Sequence, residues 1–187
     1  QDPSKGIILN IIPQFKYYER LKIINSLNQK LRNRYDNHLI LALLIIDQSN
    51  NYEYFCHKYK ISNRIKSRFK NISINFENIK NKKFYSEENI KKLIYATSKE
   101  EVIDLLLFSI CINSKVKTLI IEKLINYVNT CKIPKFPISG DYLKKQGYED
   151  GKTLGKKLKS LEEKWIKNNF SIDQNLLKKS LNKISKN

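Results

Sequence analysis

An unbroken run of eight apolar residues, Leu39 to Ile46, is the feature that most restricts how this sequence can fold. Elsewhere in the chain the apolar residues recur at helical spacing, so we interpret the run as a helix that has no polar face. Such a helix is stable only when neighbouring helices cover it on every side. A membrane-spanning helix needs about 20 apolar residues, so the run is too short for that role and we expect no membrane partner. The sequence therefore predicts a central buried helix.

Capping residues and apolar stripes mark the other helices. Four residues with N-capping side chains precede predicted helices: Asn37, Ser62, Ser86 and Ser98. The predicted helices span about residues 2–12, 16–34, 37–46, 52–59, 62–71, 86–97, 98–111 and 113–130. Residues 72–85 lack clear periodicity, and we expect a loop there. No strand pattern with hairpin turns is visible, so the predicted fold class is all-α.

Two prolines interrupt the helical pattern in the last third of the chain. Pro134 and Pro137 lie within residues 132–138 and forbid a regular helix there. We therefore place a domain boundary at the start of this segment. The predicted organisation is a helical bundle body, residues 1–131, followed by a small helical tail, residues 132–187.

Basic side chains outnumber acidic ones twofold, with 36 Lys and Arg against 18 Asp and Glu, which gives a net charge of +18. An excess of this size favours a polyanionic partner, most often nucleic acid. A solvated, lysine-covered surface is the alternative that the charge alone leaves open. No acidic residue occurs between Glu53 and Glu77. From that region we select Arg64, Lys66 and Arg68 as candidate nucleic-acid-binding residues.

Four aromatic residues lie in the same part of the chain: Tyr52, Tyr54, Phe55 and Tyr59. They adjoin the basic residues Lys58, Lys60 and Arg64. Aromatic residues at helical spacing usually form a core, whereas aromatic and basic side chains together also bind nucleic-acid bases by stacking. The sequence leaves both interpretations open.

The cysteine and methionine contents bear on the origin of the chain. The three cysteines cannot all pair, and their spacings of 55 and 20 residues fit no metal-ligand pattern, so we expect a reducing compartment, the cytoplasm. The sequence contains no methionine and begins with Gln1. We therefore expect that it is not an intact translation product.

Four of the five glycines lie within sixteen residues of the predicted tail: Gly140, Gly147, Gly151 and Gly155. Ser139 is a predicted N-cap for a short helix that Gly147 ends in a left-handed conformation. Asp150 is predicted to cap the longer helix that follows. One face of that helix carries an apolar stripe, which consists of Leu154, Leu158, Leu161 and Trp165.

Gly151 and Gly155 are expected inside the longer helix, where each glycine costs about 1 kcal/mol relative to alanine. Tight helix packing is one explanation, and close approach of a phosphate to the helix N-terminus is the other. Lysines surround the pair, which favours phosphate: Lys144, Lys145, Lys152, Lys156, Lys157 and Lys159. These lysines and the two glycines form the predicted nucleic-acid site in the tail.

The order and spacing of residues in this segment resemble a known family. The matching residues are Phe136-Pro137-Ile138-Ser139-Gly140, Leu143, Gly147, Gly151, Gly155, Leu158, Leu161-Glu162 and Trp165. The pattern is similar to the C-terminal part of bacterial tRNA nucleotidyltransferases, the CCA-adding enzymes of the poly(A) polymerase family. About 30 residues carry the resemblance.

This resemblance implies a body and tail that grip tRNA or another structured RNA. The family's catalytic head has an Asp-x-Asp metal-binding motif and its neck has a Glu-Asp-x-x-Arg template, and neither pattern occurs here. We therefore expect no catalytic residue and no metal or cofactor in this chain, since magnesium and CTP or ATP would belong to a head supplied in cis or in trans. The alternative is a standalone basic helical protein that binds generic nucleic acid or a protein partner.

Overall fold

A computed structural model describes residues 12–172 of the chain. All regular elements in that range are helices, which confirms the predicted all-α fold class. The contacts divide the chain into two compact units, residues 1–131 and 132–187. The predicted helix at 2–12 falls almost entirely outside the described residues, as does the end of the predicted tail.

The first unit contains eight described α-helices. They are α1 (Glu19–Ser26), α2 (Gln29–Arg32), α3 (Asn37–Ile45), α4 (Asn51–Lys58), α5 (Asn63–Asn75), α6 (Glu87–Ala96), α7 (Lys99–Ile112) and α8 (Thr118–Thr130). Two short 3₁₀ helices, Asn78–Lys80 and Lys82–Tyr85, lie between α5 and α6. The described helices of the second unit are α9 (Gly140–Lys145) and α10 (Lys152–Lys167).

The core of the first unit is built around α3 and α7. The apolar run predicted as a buried helix forms α3, with Leu39, Ala42 and Leu43 almost inaccessible to solvent. Helix α7 is buried over most of its length and packs against α1, α3, α5, α6 and α8. Ser98 accepts a hydrogen bond from the Glu101 backbone N–H (3.1 Å), so the predicted cap of α7 is confirmed. The bundle therefore has two buried helices, whereas the apolar run pointed to one.

Several predicted boundaries in the first unit are wrong. The helix expected over 16–34 is broken between α1 and α2, where the Asn28 side chain accepts a hydrogen bond from the Leu31 backbone N–H (3.0 Å) and starts a new helix. The N-cap of α3 is Asp36, not Asn37, because the Asp36 carboxylate accepts the Leu39 N–H at 2.7 Å. Both differences arise because a short polar side chain, Asn28 or Asp36, accepts a backbone N–H and thereby starts a helix.

The segment expected to be a loop, residues 72–85, is largely helical. Helix α5 continues to Asn75, and the two 3₁₀ helices follow it. Ile79 and Phe84 in these short helices are buried in the core of the first unit. A 3₁₀ turn repeats every three residues, so its apolar residues do not produce the α-helical spacing that marks the other elements. Ser62 makes no side-chain cap on α5.

Arg68 is a correction to the predicted nucleic-acid site. Its side chain is only 9% exposed, and it donates two hydrogen bonds to the Asp104 carboxylate, from Nε at 2.6 Å and from Nη2 at 2.8 Å. Nη1 donates to Asp36 at 2.7 Å. With its guanidinium engaged on two carboxylates inside the bundle, Arg68 is not available to a phosphate. It joins α5 to α7 and to the N-terminus of α3.

The second unit has its own small core. Ser139 caps α9 by accepting the Tyr142 N–H at 3.2 Å, and Gly147 ends that helix with φ +88°, as predicted. The predicted apolar stripe of α10 also faces the interior, where Leu154, Leu161 and Trp165 are buried. The Trp165 ring lies between two other aromatic rings, with centroid distances of 5.3 Å to Phe136 and 4.9 Å to Phe170.

We predict that Arg68→Met lowers the free energy of unfolding by about 3–5 kcal/mol, because Asp104 would be left buried without its charge partner. The matched control is Arg64→Met, which removes an exposed pair with Glu100 and should cost less than about 1 kcal/mol. Urea unfolding of the full chain, followed by circular dichroism, measures both. Similar losses for the two variants would contradict a structural role that is specific to Arg68.

We also predict that Trp165→Ala destabilises the second unit by about 3–5 kcal/mol, as truncation of a large core side chain does. The loss arises because Phe136 and Phe170 would face a cavity. Thermal unfolding followed by circular dichroism measures the effect. An unchanged melting temperature would show that this ring is not part of a core.

Candidate nucleic-acid interface

The predicted tail site lies at the N-terminus of α10, and Gly151 sets its geometry. Gly151 is the N-cap, with φ +128° and ψ −160°, a backbone conformation that is essentially restricted to glycine. The prediction that Gly151 lies inside the helix is therefore wrong. Glycine has no side chain to cap the helix, and no acidic residue lies in the first turn. The positive end of the helix dipole is thus left without a nearby carboxylate on the same helix.

Asp150 does not cap α10 as predicted. Its carboxylate is 2.8 Å from the Lys144 Nζ, so the residue best placed to cap the helix forms an ion pair with α9 instead. Asp141 lies 3.9 Å from the same Nζ. The hydrogen bond that Lys144 donates to the Asp150 carboxylate raises the pKa of Lys144 above its ordinary value. Lys144 is thereby held beside the start of α10, and its neighbour Lys145 is exposed.

The other predicted lysines follow the outer surface of α10. Lys152, Lys156 and Lys159 are exposed, on the face opposite the buried stripe. Lys157 is half-buried, and its Nζ lies 5.8 Å from the centre of the Tyr148 ring. Lys144 therefore lies beside the start of α10, Lys152 and Lys156 lie in its first turns, and Lys159 lies near its middle.

Gly155 is the glycine that the described structure does not explain. Its N–H donates to the Gly151 carbonyl at 3.2 Å, so it lies in regular helix. A Cβ built at Gly155 would meet no atom within 4 Å in the described part of the chain. Tight packing against residues 12–172 therefore does not account for glycine here. What the missing side chain does provide is an open surface beside three exposed lysines.

The predicted mid-chain site is only partly available. Arg64 is exposed, but its Nη2 lies 3.1 Å from a Glu100 carboxylate oxygen. Lys66 is exposed on α5. With Arg68 buried, the three residues selected from the sequence do not form one continuous site.

The structure also bears on metals and membranes. Among residues 12–172, no group of three or more His, Cys, Asp or Glu side chains is arranged to hold a metal ion. No helix in the same range is long and apolar enough to cross a lipid bilayer.

Comparison with known proteins gives one informative similarity. No family model matches the chain, and no solved structure matches it. A protein from Danio rerio, CCA tRNA nucleotidyltransferase 1, mitochondrial, is 35% identical to this chain over 60 residues. The match covers 32% of this chain and only 14% of the zebrafish protein. Over about a third of its length, the chain is therefore similar to a CCA tRNA nucleotidyltransferase.

The two glycines at the start of α10 should respond oppositely to alanine. We predict that Gly155→Ala raises the free energy of unfolding by about 0.5–1 kcal/mol, because the new methyl group enters open space in a helix. Gly151→Ala should lower it by about 1–3 kcal/mol, because alanine is strained at φ +128°. Urea unfolding of both variants tests the assignment, and a loss of stability in Gly155→Ala would show that packing requires glycine there.

Proposed function

We propose that this chain is an RNA-binding region of a CCA-adding or poly(A)-polymerase-like nucleotidyltransferase, which grips tRNA or another structured RNA during 3′-end processing. The observation that carries the proposal is the N-terminus of α10, which has no side-chain cap and no acidic residue in its first turn, and where Gly155 meets no other described residue and adjoins exposed lysines. The 60-residue similarity to a CCA tRNA nucleotidyltransferase supports the same assignment.

The chemistry of this helix end suits a phosphate group. Backbone N–H groups in the first turn of a helix have no partner within the helix, and the helix dipole adds a positive potential. Lys152 and Lys156 add full charges on the same turns. Contacts of this kind position an RNA backbone without reading its sequence. They suit a protein that recognises the shape of a folded RNA.

Nucleotide addition would belong to a separate part of the enzyme. We propose that the chain binds RNA but does not add nucleotides by itself, and that a catalytic head with its magnesium ion and CTP or ATP acts on the RNA that this region holds. The alternative is generic electrostatic binding by a standalone basic protein, which the net charge of +18 supports on its own. The two functions differ in whether the binding affinity depends on the fold of the RNA.

We predict that Lys152→Glu with Lys156→Glu weakens tRNA binding about 10- to 100-fold at about 150 mM salt and lowers the salt dependence of binding. Both side chains are exposed, so the melting temperature should not fall. Lys115→Glu with Lys117→Glu is the matched control, because it changes the net charge equally at exposed positions of the first unit. A gel-shift titration measures each affinity.

The same titration with an unstructured RNA of equal length separates the two functions. A preference for tRNA that the α10 variant loses and the control keeps is the expected result. Equal affinity for both RNAs, or equal losses in the two double variants, would favour generic electrostatic binding and contradict the proposed site.

A further inference from the structure

The structure divides the aromatic run of α4 into two pairs. Tyr52 and Phe55 are buried in the core, with 3% and 4% of their surface exposed. Tyr54 is 60% exposed, and Tyr59 is 37% exposed at the end of the helix. The core interpretation thus holds for one pair only. The other pair presents two aromatic rings to solvent in the first unit.

The Tyr59 ring is held in place by its neighbours. Its centre lies 4.6 Å from the centre of the buried Phe55 ring. The Lys58 Nζ lies 5.4 Å from the Tyr59 ring centre, within the range of a cation–π contact. Tyr54 stands one helical turn before Lys58, so these two exposed side chains share a face of α4. One cation and one aromatic ring are therefore in contact at this surface, and a second exposed ring, Tyr54, shares the helix face of that cation.

A further lysine, Lys60, directly follows this helix, and Lys66 lies on the next one. Lys60 has φ +50° just after α4, where the Ile61 N–H donates to the Cys56 carbonyl at 2.9 Å and closes the helix end. Lys66 belongs to α5, which packs against α4. Burial raises the pKa of the Cys56 thiol, and the Lys66 charge partly offsets that rise, so Lys66 lies nearer the buried side of α4 than the exposed face of Tyr54 and Lys58.

The acidic residues closest to these lysines have other partners in the described part of the chain. No acidic residue occurs between Glu53 and Glu77. Glu53 accepts a hydrogen bond from the Tyr52 hydroxyl at 3.1 Å, and Glu77 is 2.7 Å from the Lys80 Nζ. Glu100 on α7 is engaged with Arg64.

We propose that the α4 surface, defined as Tyr54, Lys58, Tyr59 and Lys60, binds an unpaired segment of RNA. Tyr54 stacks on a base, and the lysines contact the adjoining phosphates. Single strands are the form of RNA whose base faces are open to an aromatic ring, and stacking combined with cations is how such strands are bound without sequence preference. The surface extends the proposed RNA binding from phosphates of a folded RNA, at α10, to bases of an unpaired segment.

The test uses the full chain and a fluorescently labelled, unstructured oligoribonucleotide, with binding followed by anisotropy at about 150 mM salt. Tyr54→Ala should weaken binding about 5- to 150-fold, the range found when one stacking ring is removed. Tyr54→Phe should bind like the unchanged chain, because it keeps the ring. Since neither change removes a phosphate contact, the salt dependence should stay the same. Lys58→Gln with Lys60→Gln should instead reduce the salt dependence.

An abasic oligonucleotide of the same length separates stacking from charge. The unchanged chain should bind it about as weakly as Tyr54→Ala binds the normal oligonucleotide, and Tyr54→Ala should lose little further affinity. Tyr142→Ala is the matched control, because it removes another tyrosine that is 38% exposed, in the second unit. It should leave binding unchanged.

Three outcomes would overturn the proposal: no measurable binding by the unchanged chain, equal binding of normal and abasic oligonucleotides, or equal losses from Tyr54→Ala and Tyr142→Ala. Because Tyr54 is exposed, unfolding is not expected to obscure the result, and melting curves verify this. The α10 double variant keeps the two proposals distinguishable. If the α10 variant loses tRNA but retains the oligonucleotide, and Tyr54→Ala loses the oligonucleotide, both sites stand. If the α10 variant loses tRNA but Tyr54→Ala binds the oligonucleotide like the unchanged chain, the proposed function stands without the α4 surface.

Discussion

The buried contact between Arg68 and Asp104 is the constraint on which the bundle depends. It holds α5 against α7, the helix that touches five others, and through Asp36 it reaches the start of α3. Desolvation disfavours all these charges, but hydrogen bonds from Arg68 and the Leu39 N–H still leave the pKa of Asp36 below its ordinary value. Arg68 donates three hydrogen bonds to these two carboxylates, and the surrounding core is mostly apolar, so among the described residues neither Arg68 nor Asp104 has another partner of opposite charge close by. The pair therefore specifies how these three helices meet, which apolar packing alone would specify less tightly.

At the start of α10 the sequence departs from what stability alone would favour. A capping side chain, an acidic residue in the first turn and alanine in place of Gly155 would each strengthen a helix of this kind. The chain instead has Gly151 as its cap and an open surface at Gly155, with lysines around them. Local departures from helix-stabilising choices are expected where the backbone must meet a ligand. The proposed phosphate contact accounts for all three departures at once.

The sequence predicted elements whose signal is local and missed those that depend on distant partners. The apolar run of α3, the Ser98 cap and the Gly147 helix end are written in adjacent residues, and all three are confirmed. The burial of Arg68 depends on Asp104, which is 36 positions away, so nothing in its basic neighbourhood indicated it. The Asp150 cap fails for a different reason, because Asp150 forms an ion pair with Lys144, six positions before it, and this pair competes with helix capping. The 3₁₀ helices at 78–85 were missed because their spacing is not that of an α-helix.

The two basic residue types have different roles in this molecule. Four of the five arginines donate to carboxylates or backbone carbonyls, and they are Arg20, Arg32, Arg64 and Arg68. A planar guanidinium with five donors suits such multiple contacts, whereas a lysine is a compact charge on a flexible stem. The charge that the two proposed RNA sites offer to a polyanion therefore comes from lysines. Point charges attract phosphates but define little geometry, so in the proposed RNA complex the open backbone at Gly155 and the exposed ring of Tyr54 would distinguish between forms of RNA.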